Sequence, residues 1–168
     1  RIDTETYSET PIKRGTYRYV EDCELMIVSW AIDDGRVSVW DLTSPDPTGL
    51  DIALSTALME ADVVIAHNAV FDRGVIAKHF PKVTPPLERW QCSMAHALSH
   101  SLPGGLDKLC EILGVPLDKA KHKTGKDLVR LFCMPRPSNA KIRRATRDTH
   151  PQEWERFLAY AGSDIDAM

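Results

Sequence analysis

No stretch of this 168-residue chain comes near the roughly 18 consecutive apolar residues of a membrane-spanning helix; the longest, Leu25 to Ile32, is interrupted by Ser29. Cysteine is scarce. Cys23, Cys92, Cys110 and Cys133 stand far apart, without the C-x-x-C pairs of a zinc site or the density of a disulfide-stapled scaffold. Reduced thiols and a cytosolic setting are therefore expected. Internal repeats and low-complexity tracts are also lacking. The chain opens on Arg1 with neither an initiator Met nor a signal peptide and stops inside a helical pattern, so an excerpt of a longer polypeptide is expected, with more chain on the C-terminal side at least. What is present, 43% hydrophobic and 27% charged residues, excludes a disordered chain and suits one compact domain over residues 1–168 with a sizeable core.

The formal charge of −3 conceals an asymmetry. Residues 119–147 carry ten Lys or Arg against one acid, Asp127, while the remainder carries 11 basic and 23 acidic residues. An acidic body bearing one basic segment suits a chain that grips a polyanion on one side, although a solvated loop has the same composition.

Leu25–Ile32 and Val37–Leu42, rich in Val, Ile and Trp and separated by Asp33-Asp34-Gly35, are expected to form a hairpin, preceded by a strand that begins at Ile2. After a Pro/Gly break at 45–49, apolar residues at 50, 54, 57, 58 and 61 have helical spacing, and Val63–Ala66 is a short buried strand. Helices are expected at about 71–79, 92–100, 105–114, 124–133 and 152–168, with breaks at Pro81–Pro86, Pro103-Gly104, Pro116 and Pro135–Pro137. This order implies an α/β fold with a mixed central sheet flanked by helices. Residues 134–150, long, basic and poor in apolar side chains, are the expected flexible loop.

Three polar constellations stand on this framework. In Asp3-Thr4-Glu5, a strand would project both carboxylates to one face, where they could hold a divalent metal. With 15 Asp and 9 Glu, such a pair also arises by chance, and Asp22-Cys23-Glu24 is another. In His67-Asn68-Ala69-Val70-Phe71-Asp72, at the exit of the Val63–Ala66 strand, Asn68 and Asp72 share a helical face and Asp72 can aim at the sheet edge; a capping Asn beside a surface Asp is the plain alternative. In the last helix, Trp154, Phe157, Leu158, Ala161 and Ile165 form an apolar stripe with Tyr160 and Asp164 at its edge, positions that equally suit a helix anchor and a rim carboxylate.

DxE, then NxxxD, then YxxxD, in that order, resembles the three motifs of the DEDD (DnaQ-like) 3′–5′ exonucleases, which are built on the RNase H-like fold. Tyr160, four residues before Asp164, matches the tyrosine branch; the histidine branch would need His where this chain has Ala159. Longer stretches, residues 3–19, 66–73, 90–115 and 125–137, resemble the exonuclease domain of bacteriophage-type family A DNA polymerases. The basic residues 138–150 match nothing in that pattern, and Ala161-Gly162-Ser163 is smaller than the usual filling between Tyr and Asp.

The resemblance implies a two-metal phosphodiesterase using Mg²⁺, with Mn²⁺ able to substitute, held by Asp3, Glu5, Asp72 and Asp164. Tyr160 would orient and help deprotonate the attacking water, chiefly a positioning role, since an ordinary phenol with a pKa of about 10 is a poor base at pH 7. The substrate would be a single-stranded DNA 3′ end or a frayed primer-template, with a C-terminal polymerase domain in the same chain, in the cytoplasm of a bacterial or phage-infected cell. Thr6, His67, Asn68 and Phe71 adjoin the carboxylates and are the candidate contacts to the terminal nucleotide, although each also fits a core or capping role. Tyr7, Tyr17 and Tyr19, interleaved with Lys13, Arg14 and Arg18, suit a single-strand platform or a surface hairpin. A 3′–5′ exoribonuclease and a catalytically silent DNA-binding scaffold are the alternative functions. Retention of all four carboxylates and Tyr160 argues against the last.

Overall fold

The computed structural model describes residues 1–45, 50–115 and 119–168, without the side chains of 50–51 and 119–124. Residues 46–49 of the break expected at 45–49, Pro116, and the side chains of Lys119, Lys121 and Lys123 in the basic segment lie outside the described residues.

Three strands, β1 (Ile2–Tyr7), β2 (Glu24–Trp30) and β3 (Ser38–Asp41), form an antiparallel sheet in the order β1-β2-β3. The expected hairpin is β2–β3. Its turn demands Gly35, because a Cβ there would lie 2.8 Å from the Ile32 carbonyl oxygen. Helix α1 (Thr16–Asp22) precedes β2, and α2 (Leu50–Glu60) leads to β4 (Val64–Ala66). Helix α3 (Ala69–His79) follows, and β5 (Trp90–Cys92) then pairs parallel with β4 as a separate two-stranded sheet. Helices α4 (Ser93–Ser99), α5 (Leu106–Leu113), α6 (Lys119–Phe132) and α7 (Pro151–Asp166) complete the chain. The single mixed sheet expected from sequence is thus divided into two ladders, although β4 lies against β1.

Strand β1 is covered on both faces, and its period of two sorts its side chains between two cores. Ile2 packs with Val28, Trp30, Val75 and Ile76 on the α3 side, whereas Tyr7 packs with Ile27, Phe132, Trp154 and Phe157 on the α6–α7 side. Asp3 and Glu5 share the face of Tyr7, so they point toward α7 from within a covered sheet. A bulge between Glu5 and Thr6 shifts the β1–β2 register at the end of this acidic pair. The apolar stripe of α7 behaves as its spacing predicts: Trp154, Phe157, Ala161 and Ile165 are buried, Leu158 partly so.

Residues 134–150 contain no helix or strand, as expected, but they are clasped to the body rather than loose. Arg144 donates to both carboxylate oxygens of Glu24 at 2.7 and 2.8 Å, and its guanidinium sits 4.1 Å from the Tyr7 ring centre. Arg143 pairs with Glu9 at 3.4 Å, and Arg147 pairs at 3.4 Å with Asp41, which also accepts a 2.9 Å bond from the Trp154 indole. Ala145 between them is buried. Three cations of residues 134–150 therefore neutralise this chain's own acids, and Lys126 and Arg130 of the same basic segment pair with Asp107 and Asp127. Arg144→Ala is expected to lower stability by about 1–2 kcal/mol through loss of the two-pronged pair and the ring contact, both half-open to solvent. Lys141→Ala should lower it by less than about 0.5 kcal/mol. Thermal unfolding of the two variants at low and high salt checks this, since only the Arg144 loss should shrink with salt.

Candidate metal centre

Among the described residues, one group of potential metal ligands converges: Asp3, Glu5 and Asp164 each offer a carboxylate oxygen within 4.8 Å of the others. Asp3 and Glu5 come from alternate positions of β1, and Asp164 comes from the last turn of α7, which crosses β1 and β2. The chance pair Asp22 and Glu24 is taken apart: Asp22 accepts from Thr10 at 2.5 Å, and Glu24 holds Arg144.

Electrostatics disfavour full ionisation of the trio without a cation. Burial, then the charges of Asp72, Glu5 and Asp164, push Asp3 well above the usual carboxylate range, although part of its surface remains open. Burial and Asp164 push Glu5 up to about 8, partly relieved by the Cys133 thiol, which donates to Glu5 Oε2 at 3.5 Å. An oxygen-only, mutually repelling donor set fits a hard divalent ion such as Mg²⁺ or Mn²⁺.

Asp72 lies in the first turn of α3 and is 2% exposed, which excludes a surface role. It stands outside the trio, on the Thr4 side of β1, where the Thr4 hydroxyl donates to its Oδ1 at 2.7 Å. Burial raises it to about 7 while the bonds from Thr4 oppose the shift. Its charge nonetheless reaches Asp3. Tyr160, one helical turn before Asp164, hydrogen-bonds to that carboxylate, and burial together with the carboxylates pushes its phenol far above the ordinary range. It is therefore a proton donor at neutral pH.

The remaining sequence candidates divide. Asn68 is exposed, adopts left-handed backbone geometry at φ 72°, and makes no capping bond from its side chain, so the capping alternative is not realised. Phe71 is half-buried with its ring 5.6 Å from that of Tyr19. Thr6 is buried and its hydroxyl is paired with that of Tyr19 at 2.9 Å. Both ring nitrogens of His67 are engaged inside the protein, with Ser93 Oγ at 3.0 Å and the Gly104 carbonyl at 2.8 Å. The proposed aromatic platform is not assembled as one surface. Tyr7 and Tyr19 are core residues, whereas Tyr17 is 85% exposed on α1, a helix where a hairpin was an alternative.

Three neighbours of the centre escaped sequence reasoning. Cys133, the residue after α6, lies against Glu5. Ser29 faces Asp3 across the β1–β2 ladder, buried and with its hydroxyl unpartnered. Gly125 in α6 lies so close to the Tyr160 ring that a Cβ would fall 2.2 Å from Cε2. A glycine inside a helix, where alanine would be about 1 kcal/mol better, was the one available signal.

The chain is related to a DNA polymerase. It is 36% identical over 172 residues to the DNA polymerase of Bacillus phage SP02, an alignment spanning 98% of this chain and 26% of that protein. The chain thus corresponds to about a quarter of that relative's length. No protein-family profile matches the chain, and no solved structure matches it.

The raised carboxylates make stability depend on pH and metal together. A carboxyl whose folded pKa exceeds its unfolded value takes up protons on folding between the two values, so stability is lost as pH rises through that window. With Glu5 near 8 and Asp72 near 7, the metal-free protein should become less stable between about pH 4.5 and 8. Once pH exceeds both values, the loss approaches about 1.4 kcal/mol for each tenfold difference between a group's folded and unfolded acidity constants. Melting curves in EDTA and in Mg²⁺ should therefore diverge as pH rises; parallel curves would show that the carboxylates do not share a cation.

Proposed function

We propose that this chain is the 3′–5′ exonuclease domain of a DNA polymerase. It would hydrolyse the terminal phosphodiester of single-stranded or frayed DNA and release nucleoside monophosphates. The observation that carries the reading is the meeting of Asp3, Glu5 and Asp164 with the Tyr160 hydroxyl on Asp164. The relationship to the phage polymerase supports it, and the portion of that protein beyond the alignment supports a polymerase domain in the same polypeptide. The order β3-β2-β1, with β4 lying against β1 and β5 parallel to β4, is compatible with the RNase H-like fold.

Bound divalent ions, two in this reading, would supply a strong nucleophile at neutral pH and neutralise charge on the phosphate. Asp3, Glu5 and Asp164 would hold the cations, and Asp72, fixed by Thr4, would add negative charge from the other side of β1. Tyr160 stays protonated beside Asp164 and so positions an attacking water rather than removing its proton. Asn68 and Phe71, at the exit of β4, are the residues left available to meet a terminal nucleotide. Thr6 and His67 would shape the site through their internal bonds.

The test is digestion of a 5′-labelled single-stranded oligonucleotide by the purified chain. Stepwise shortening of DNA that requires Mg²⁺ or Mn²⁺ is expected. Preferential shortening of the RNA of the same sequence would favour the exoribonuclease reading. Binding of DNA without cleavage of either substrate would leave a silent scaffold.

A further inference from the structure

Two neighbouring imidazoles lie outside the carboxylate trio. His96 and His100 are one turn apart at the end of α4, both exposed, with their Nε2 atoms 3.3 Å apart and their rings edge-to-face at 5.0 Å between centres. Histidines four residues apart share a helical face, but flexible exposed rings are not obliged to turn the same nitrogen toward one another. Two Zn–N bonds of about 2.0–2.1 Å at a tetrahedral angle place their nitrogens about 3.3 Å apart. The pair, joined in the metal-free protein by a hydrogen bond between these two nitrogens, already stands at the separation that a single ion imposes once that shared proton is displaced.

We propose that His96 and His100 form a two-nitrogen site for a borderline transition ion, Zn²⁺ or its Ni²⁺ and Cu²⁺ analogues, with water completing the coordination. Imidazole nitrogen selects such ions, whereas the oxygen-only trio of Asp3, Glu5 and Asp164 suits Mg²⁺, so the two centres differ in ligand chemistry. The site spans the end of α4: His96 lies in the helix and His100 caps it. Ser101 follows with a positive φ of 61°, a backbone state unusual for a residue with a side chain. A bridging ion would pin this strained exit. It would thereby brace the turn through Gly104, whose carbonyl is held by His67 at the end of β4.

The probe is Ni²⁺ added to tag-free, chelator-treated protein, with binding followed by titration calorimetry and by retention on an immobilised-Ni²⁺ column. An Asp3→Asn background reduces uptake at the carboxylates. In that background His96 and His100 should still bind one equivalent. Either His96→Ala or His100→Ala should weaken it at least about tenfold and abolish retention, since losing even an outer partner of a metal ligand costs about 10–100-fold. Mg²⁺ uptake by the otherwise unaltered chain should not change with either His substitution. Equal Ni²⁺ binding by the background protein and its His100→Ala derivative, or no binding in the background, would overturn the proposal.

Discussion

Asp3→Asn is expected to abolish Mg²⁺-dependent cleavage while making the metal-free protein more stable. The two effects share one cause. Asp3 stands among Glu5, Asp72 and Asp164, and their charges, added to burial, push its pKa well above the usual range. Asn is nearly the same size and can still hydrogen-bond, so the fold loses no packing, and one member of a repelling group is removed. At pH 8 without metal, making the neighbouring carboxylates even tenfold easier to ionise corresponds to about 1.4 kcal/mol. With metal, the same change removes a ligand from a set already small. A fall in rate of at least about a thousandfold, or about 4 kcal/mol in the barrier, is expected. Measuring melting temperature in EDTA beside the rate in Mg²⁺ separates this from simple damage. A damaged protein would be less stable and less active, while an Asp3 remote from the chemistry would leave the rate alone.

Gly125→Ala is the second large effect, and it acts through Tyr160. A Cβ at Gly125 would lie 2.2, 2.4 and 2.9 Å from Cε2, Cδ2 and Cζ of Tyr160, contacts that no real Cβ tolerates. The ring has little freedom to yield, since it stacks nearly parallel on Phe157 at 6.5 Å between centres, and Phe157 stacks in turn on Phe132. Alanine is better than glycine in a helix by about 1 kcal/mol, but overpacking costs about 1–3 kcal/mol, so the net loss of stability is modest. The loss of activity should be larger. Displacing the ring moves the hydroxyl from Asp164, and Tyr160→Phe, which keeps the ring and removes the hydroxyl, should reproduce that loss without the loss of stability. In the double variant the activity losses should not add, because both remove the same contact. Full activity in Gly125→Ala would make the close packing structural only.

The parts of the site that are legible in the sequence are those encoded by short periodicities. Asp3 and Glu5 two apart on a strand, and Tyr160 and Asp164 four apart on a helix, take their faces from spacing alone, and the stripe through Trp154, Phe157, Ala161 and Ile165 orients α7. The short elements are not legible. Trp90–Cys92 has three residues between a proline pair and a helix, too few to show alternation, and its pairing with β4 depends on partners about 26 residues away. Helix α1 has only seven residues, and its rings suggest a surface, whereas Tyr19 is buried and bonded to Thr6. The charge count of residues 119–147 is correct, but it does not reveal that Arg143, Arg144 and Arg147 meet Glu9, Glu24 and Asp41.

The sequence by itself determined which residues share a face of each element and which segments are apolar enough to be buried, because both follow from local geometry and side-chain chemistry. Only the tertiary structure decided which faces meet. The packing of α7 across one side of β1 brings Asp164 to Asp3 and Glu5, while α3, packed on the opposite side, bonds Asp72 to Thr4 and places its charge near enough to act on Asp3. It is tertiary packing again that sets Gly125 against Tyr160 and Cys133 against Glu5. These are contacts between residues far apart in the chain, fixed by how the two cores fill on either side of one strand, and no local pattern carries that information.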